Sequence, residues 1–358
     1  MKIDLLINSL NGGGAERVMA TLANGFSDKG YKIRLITFNE GNAFPINSDV
    51  KRIELHGGFL KNHTLRSLIN LFKFYLKNNN KPHILVAFMP TTNLIAILIS
   101  IICNIKVIVS EHNNHKANYS TQNKWIRKLF YRFADSITVL TKFDVPFFEK
   151  LGAKVTVMPN PVEIPLTTKE YNDRENNILV AGSLKRYKTK GFDTLLNTIA
   201  PVLNQFNNWK LIIAGSGEPG MTTLKEIVKE LDIEDKVIFT GFTNELPTLM
   251  QNSKVYVLSS KFEGLPMVLM EALSNGMSCI AYNCVSGPSE LIDDNFNGIL
   301  IEDQNSSAMS KGITALLEDD KLRNRLANNA TISVEKFSTK NVIIMWENLI
   351  DSVLNNER

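Results

Sequence analysis

The chain has 358 residues, too many for one ordinary core and enough for two domains of roughly 150–200 residues each. Its 44% hydrophobic and 21% charged content is that of a folded globular chain, which excludes a disordered, fibrous or low-complexity protein; no internal repeat marks a solenoid or propeller. The formal net charge is only +4, but residues 61–135 carry eleven Lys or Arg against two acids, Glu111 and Asp135, so a local excess of +9 sits on a chain that elsewhere sums to −5. A basic region of this kind points to an anionic surface or ligand.

Residues 2–8 form an apolar run that Asp4 interrupts and Asn11-Gly12-Gly13-Gly14 follows, so the opening reads as a strand and a turn rather than a secretory signal peptide. Val18, Leu22 and Phe26 predict a helix over 15–27, ended by Gly30, with a strand over 31–38. The period predicts a helix over 65–76, and short strands follow over 84–88, 107–109 and 136–140 with helices between them. The most apolar stretch, 94–103, is shorter than the ~20 residues a membrane span needs and reads as a buried helix. Around Pro159-Asn160-Pro161 the alternation stops, which makes 161–177 the linker candidate. It resumes with strands over 178–182, 210–214, 237–239, 254–258 and 278–282 and helices over 194–206, 221–231 and 266–274. A last helix over 339–354 carries Trp346, and packing back on the first domain is one reading of it.

This alternation predicts an α/β protein with two Rossmann-like, doubly wound parallel sheets: domain 1–160, linker 161–177, domain 178–338 and a C-terminal helical segment 339–358. In such folds ligands sit at the carboxyl ends of strands, here in the cleft between the two domains.

The motif richest in chemistry is Glu263-Gly264-Leu265-Pro266-Met267-Val268-Leu269-Met270-Glu271. Two carboxylates stand eight residues apart, and Pro266 suits a first helical turn. The backbone N–H groups of Leu265, Met267 and Val268 at that helix start form an anion site for phosphates. An ordinary amphipathic helix with a capping acid has the same spacing. Gly12-Gly13-Gly14 lies between a strand and a helix, where glycines let the backbone approach a ligand; a dinucleotide fingerprint is the alternative, but Arg17 stands where its third Gly belongs. His112 follows the strand over 107–109 and so sits at a carboxyl end. Cys103, Cys279 and Cys284 lie in apolar contexts and read as buried free thiols of a reducing compartment. No Asp-x-Asp or Cys/His cluster offers a metal site, and no second carboxylate is arranged as a nucleophile.

The nonapeptide resembles the E-x7-E motif of the family 4 glycosyltransferases, retaining enzymes of the GT-B fold. Gly13-Gly14-Ala15-Glu16-Arg17, Ser110-Glu111-His112, Lys190-Gly191-Phe192-Asp193, Ala214-Gly215-Ser216-Gly217, Gly241-Phe242 and Gly287-Pro288-Ser289-Glu290 fall in the family's order, so the resemblance spans nearly the whole chain. It implies that Glu271 binds the donor ribose, that Glu263 contacts the transferred sugar, and that Lys190 neutralises the donor diphosphate as its charge grows in the transition state. It implies further that His112 contacts the sugar and supports charge at the anomeric carbon while Glu111 buttresses it. Gly14, Gly215, Phe242, Gly264, Leu265, Pro266, Met267 and Val268 join the donor site. The family's second phosphate-clamp Arg is missing, since Ser183 occupies its place; Arg186 is the nearest replacement, with Lys185 and Lys188 as rivals. Chemistry of this family is metal-independent and needs no cofactor beyond the nucleotide-sugar donor, for which UDP is implied.

Two basic amphipathic stretches lie in the first domain. One carries Arg66, Lys73 and Lys77 among Leu65, Leu68, Phe72 and Leu76, and the other Lys124, Arg127, Lys128 and Arg132 with Trp125, Phe130 and Tyr131. Aromatic residues beside cations suit a membrane interface, and the same cations suit a lipid diphosphate; a solvated helix face is the plain alternative. With Gly13 and Glu16 they form the expected acceptor side, although Glu16 at a helix start equally stabilises the dipole. The expectation is a bacterial enzyme, peripheral on the cytoplasmic face of the inner membrane, that extends a polyprenyl diphosphate-linked acceptor in surface glycan or lipopolysaccharide synthesis. No nucleic-acid recognition motif is present. A nucleotide-sugar epimerase of the same fold and a non-catalytic sugar- or lipid-binding relative are the rivals. The first lacks a use for the basic helices and the second for an intact Glu263, Glu271, Lys190 and His112.

Overall fold

Strands that are apolar on both faces need cover on both sides, and helices laid over a parallel sheet supply it. The computed structural model, which describes all residues except 78–79, 118–119, 167–168 and 357–358, has this architecture twice. Its contacts divide the chain into a first unit of residues 1–161 with 339–358 and a second unit of residues 162–338.

The first unit runs β1 (Lys2–Ile7), α1 (Gly14–Asp28), β2 (Lys32–Thr37), β3 (Lys51–Glu54), α2 (His63–Leu76), β4 (Ile84–Phe88), α3 (Pro90–Cys103), β5 (Lys106–Ser110), α4 (Thr121–Phe130), β6 (Ser136–Val139), α5 (Val145–Glu149) and β7 (Val155–Val157). All seven strands are parallel, in the order β3-β2-β1-β4-β5-β6-β7. Asp4, the acid inside β1, is fully buried and compensated there: Arg34 donates to its two oxygens at 2.7 and 2.6 Å, and the Tyr75 hydroxyl donates at 2.5 Å. Helix α3 starts before residue 94 because Pro90 takes its first position, and its last turn leaves Ile101 and Ile102 exposed rather than buried.

The second unit runs β8 (Glu175–Ala181), α6 (Tyr187–Lys190), α7 (Phe192–Gln205), β9 (Lys210–Ala214), α8 (Gly220–Glu230), β10 (Val237–Gly241), α9 (Leu246–Asn252), β11 (Ser253–Leu258), α10 (Met267–Ser274), β12 (Ser278–Tyr282), α11 (Pro288–Leu291), β13 (Gly298–Ile301), α12 (Ser306–Glu318) and α13 (Asp320–Val334). Its six parallel strands lie in the order β10-β9-β8-β11-β12-β13. The stretch expected as a linker is packed at its second end. Tyr171 is buried, and its hydroxyl donates to the Lys254 carbonyl at 3.0 Å. Arg174 is buried too and donates to the carbonyls of Asn275 at 2.7 Å and Gly276 at 3.1 Å, which caps the C-terminal end of α10.

The last helix, α14 (Thr339–Asn355), belongs to the first unit. It lies against α1 at Gly25, where a Cβ would stand 2.6 Å from Ile343 Cδ1. Trp346 is buried and stacks on Phe88 with ring centroids 6.3 Å apart, and Tyr31 donates to Glu347 at 2.9 Å. Among the described residues no helix is long and apolar enough to cross a membrane.

Candidate active site

Counted from its first strand, the second unit's sheet has the order 3-2-1-4-5-6, with its topological switch point between β8 and β11. The loops after these two strands meet there. Lys190, at the end of the short helix after β8, places Nζ 2.7 Å from Oε1 of Glu263, in the loop after β11, and both side chains are largely shielded from solvent. Backbone contacts set this meeting. Ser259 Oγ donates to the Lys190 carbonyl at 2.8 Å, and the Lys261 N–H donates to the Thr189 carbonyl at 2.9 Å. Gly191 has φ +68°, and a Cβ there would stand 2.1 Å from the Ser259 carbonyl oxygen, so only glycine lets the two loops approach this closely.

Beyond Glu263 the chain turns into α10. The helix starts at Met267, one residue later than expected, because Pro266 has ψ 103° and serves as the N-cap; its carbonyl accepts from Leu269 and Met270. Gly264 is braced by Ser286 Oγ, which donates to its carbonyl at 3.1 Å. Leu265 and Pro266 are buried, Met267 and Val268 partly exposed, and Glu271 is buried on the helix. Both carboxylates act on one neighbour: burial first, then Glu263, Cys279 and Glu271, push the Tyr256 hydroxyl well above its ordinary range. Gly215 follows β9 and crosses tightly over the next loop, since a Cβ there would lie 1.9 Å from the Gly182 carbonyl oxygen. Phe242, after β10, is 79% exposed, and Arg186, Lys185 and Lys188 are all exposed on the stretch after β8. Cys279 and Cys284 are buried, with Cys284 raised to about 12 by burial.

In the first unit His112 follows β5. Its ring lies on Phe88 with centroids 4.1 Å apart, and Nε2 stands 3.3 Å from Ser110 Oγ. Burial lowers its pKa to about 3, opposed in part by a hydrogen bond with Asn160, so the imidazole is neutral at physiological pH. Below the ordinary value the unfolded chain binds the proton and the fold does not, so His112 costs stability as pH falls from 6.5 toward 3. We expect wild type to lose more urea stability than His112→Asn across that window, with a difference in slope of up to ~1.4 kcal/mol per pH unit; parallel curves would contradict a neutral His112.

Glu111 is buried beneath this histidine and accepts from Arg127 Nε at 3.1 Å, from a second Arg127 nitrogen and from the Tyr131 hydroxyl. The buttressing role read for Glu111 matches this geometry. Tyr131 in turn receives Asn93 Nδ2 at 2.8 Å. Arg127 therefore departs from its expected place. It is 3% exposed and points inward, because the Glu111 carboxylate needs a cation in the core, and it is not a surface residue. Lys124, Lys128 and Trp125 do lie on the outer face of α4, with Trp125 54% exposed and Lys128 Nζ 5.6 Å from its ring centroid. At the C-terminal end of α2, Lys73 and, just past the helix, Lys77 are exposed and line a cavity of about 450 Å³ together with His56 and Asn70, which sequence reasoning missed; Arg66 is half-buried and bonds the Leu60 carbonyl at 3.4 Å. Glu16 folds back over Gly13, the N-cap of α1: a Cβ on Gly13 would meet its Oε2 at 2.2 Å. That is the posture of a first-turn acid, and Gly14 opens the helix beside it.

Two doubly wound sheets, the second with a cation and a carboxylate paired across its switch point, are the construction of a two-domain α/β enzyme that takes ligands at strand carboxyl ends. Residues 12–164 match the family model of Glycosyltransferase Family 4, and residues 167–332 that of Glycosyl transferases group 1. The chain is 31% identical, over 99% of both proteins, to an α-1,4-N-acetyl-D-galactosaminyltransferase of Campylobacter jejuni named for GalNAc-α-(1→4)-GalNAc-α-(1→3)-diNAcBac-PP-undecaprenol. A second transferase of that organism, named for N-acetylgalactosamine-N,N'-diacetylbacillosaminyl-diphospho-undecaprenol, is 28% identical over 94% of this chain and 95% of its own. The crystal structure of Anabaena HepE in complex with UDP shares the fold with a TM-score of 0.84 at 19% identity, covering 98% of this chain and all of that one. The chain belongs to the family 4 glycosyltransferases and has the GT-B fold.

Proposed function

We propose that this glycosyltransferase moves a hexose or N-acetylhexosamine, with retention of anomeric configuration, from a UDP-sugar to a saccharide on polyprenyl diphosphate. One observation carries the donor half: Lys190 and Glu263 meet at the switch point of the second unit, next to the start of α10. A diphosphate resting on the N–H groups of Met267 and Val268 finds its countercharge in Lys190, and Glu263 accepts from sugar hydroxyls. Glu271 takes the ribose. His112, neutral, can offer a hydrogen bond rather than a proton. The two Campylobacter relatives, both named for undecaprenol-linked glycans, support the acceptor half. On this chain the acceptor diphosphate is assigned to Lys73 and Lys77 at the end of α2, while Trp125, Lys124 and Lys128 on α4 and the exposed Ile101 and Ile102 on α3 face an anionic bilayer.

The test is incubation with a panel of nucleotide sugars and a synthetic polyprenyl diphosphate saccharide, with and without EDTA. Mass spectrometry of the product should show one added sugar from a UDP donor, unchanged by EDTA, and NMR should show an α linkage from an α donor. Donor turnover without acceptor would favour an epimerase or hydrolase, and no turnover a binding protein. In liposome flotation, changing Lys73, Lys77, Lys124 and Lys128 to Glu should release the protein from anionic vesicles; unchanged flotation would remove the membrane assignment.

A further inference from the structure

We infer that the Lys190–Glu263 pair is a selectivity device that makes the second unit prefer a sugar nucleotide to the bare nucleotide diphosphate left after transfer. The inference rests on the donor reading above. Lys190 Nζ and Glu263 Oε1 are 2.7 Å apart, with side chains only 15% and 12% exposed, so their interaction is weakly screened. Both partners are anchored through their backbones. The Lys190 stem runs along Gly182, where a Cβ would stand 3.4 to 3.5 Å from three of its carbons, and its backbone is held by Ser259. The Glu263 loop is held by the Ser286 bond to Gly264 and by the bridge between Phe262 and Val285. Whatever approaches Lys190 therefore also meets the Glu263 carboxylate.

The two nucleotides meet that carboxylate differently. A bare diphosphate competes with Glu263 for the ammonium and brings further negative charge beside it, with nothing to offer the carboxylate in return. A sugar nucleotide makes the same demand on Lys190, but its sugar hydroxyls donate to Glu263 and replace what the lysine withdraws. The pair thus penalises the diphosphate more than the donor, and its re-formation favours departure of the diphosphate once the sugar has gone.

The measurement is the dissociation constant of UDP and of UDP-N-acetylgalactosamine by calorimetry, for wild type, Glu263→Gln, Lys190→Gln and the double variant. Glu263→Gln keeps the shape of the loop and removes the charge. It should tighten UDP by about tenfold while changing the sugar nucleotide by less than threefold, so that the preference collapses. In the Lys190→Gln background the same change should shift the ratio of the two constants clearly less, since the competition for the ammonium is gone and only the direct contacts with the carboxylate remain. Equal shifts for both ligands, no tightening of UDP, or the same effect without Lys190 would each overturn the inference and leave donor binding intact. A wild-type protein that binds neither ligand would overturn the donor reading, and the inference with it.

Discussion

Lys190→Ala is expected to lower kcat for glycosyl transfer by about 10²–10³-fold while the second unit stays folded, a loss of the size seen when one preorganised group is removed from a developing charge. The departing diphosphate gains negative charge as the glycosidic bond stretches. A cation fixed beforehand in a shielded position stabilises that charge without reorganising. The fold should tolerate the change because the loop is held by main-chain groups: Ser259 bonds the Lys190 carbonyl, and Gly191 makes the close approach to Ser259. Lys190→Arg should recover little, since the stem already lies against Gly182 and the broader guanidinium needs space beside Glu263. Steady-state kinetics at saturating acceptor, alongside a thermal melt, check this. A kcat within threefold of wild type in a folded variant would remove Lys190 from the transfer step.

The pairing behind that expectation was only half legible in the sequence. Lys190 and Glu263 each stood in a recognisable motif, but they are 73 residues apart and meet only because β8 and β11 are neighbours across the switch point. The continuous apolar runs were the easiest elements to read: β4, β9 and β12 have the bounds their sequences predict, because a strand buried on both faces needs no periodicity to be seen. Helix α13 is the opposite case. Its inward face is built from Ala327, Ala330 and a buried Arg323 with only Leu326 and Val334 of larger apolar size, so it offers a weak 3.6-residue signal. Strands β3, β7 and β13 are three or four residues long, too short for alternation to register. The amphipathic reading of α4 failed at one residue for a related reason. Lys124, Arg127 and Lys128 carry the same charge on paper, and nothing local distinguishes the one whose partner, Glu111, lies sixteen residues upstream, just after β5.

That partner makes Arg127→Met a strongly damaging change in the first unit. It removes the cation from a carboxylate that is 2% exposed and leaves the charge in the core, which costs about 3–5 kcal/mol and lowers the melting temperature by roughly 10 °C for a unit of this size. Lys128→Glu, on the exposed side of the same helix, should stay within ~0.5 kcal/mol of wild type. Pairing Arg127→Met with Glu111→Leu should restore much of the loss, because the cost lies in the stranded charge more than in the missing bond. The catalytic consequence follows from the chain itself. Glu111 precedes His112, its N–H donates to the Thr138 carbonyl at 2.9 Å, and its side chain is clamped by Arg127 and Tyr131, so these groups hold the turn that sets His112 on Phe88. Transfer by Arg127→Met should therefore fall at temperatures well below its melt, whereas nucleotide binding to the second unit should not change. A variant that melts like Lys128→Glu and transfers sugar at the wild-type rate would mean that the Glu111–Arg127 pair carries neither stability nor the position of His112.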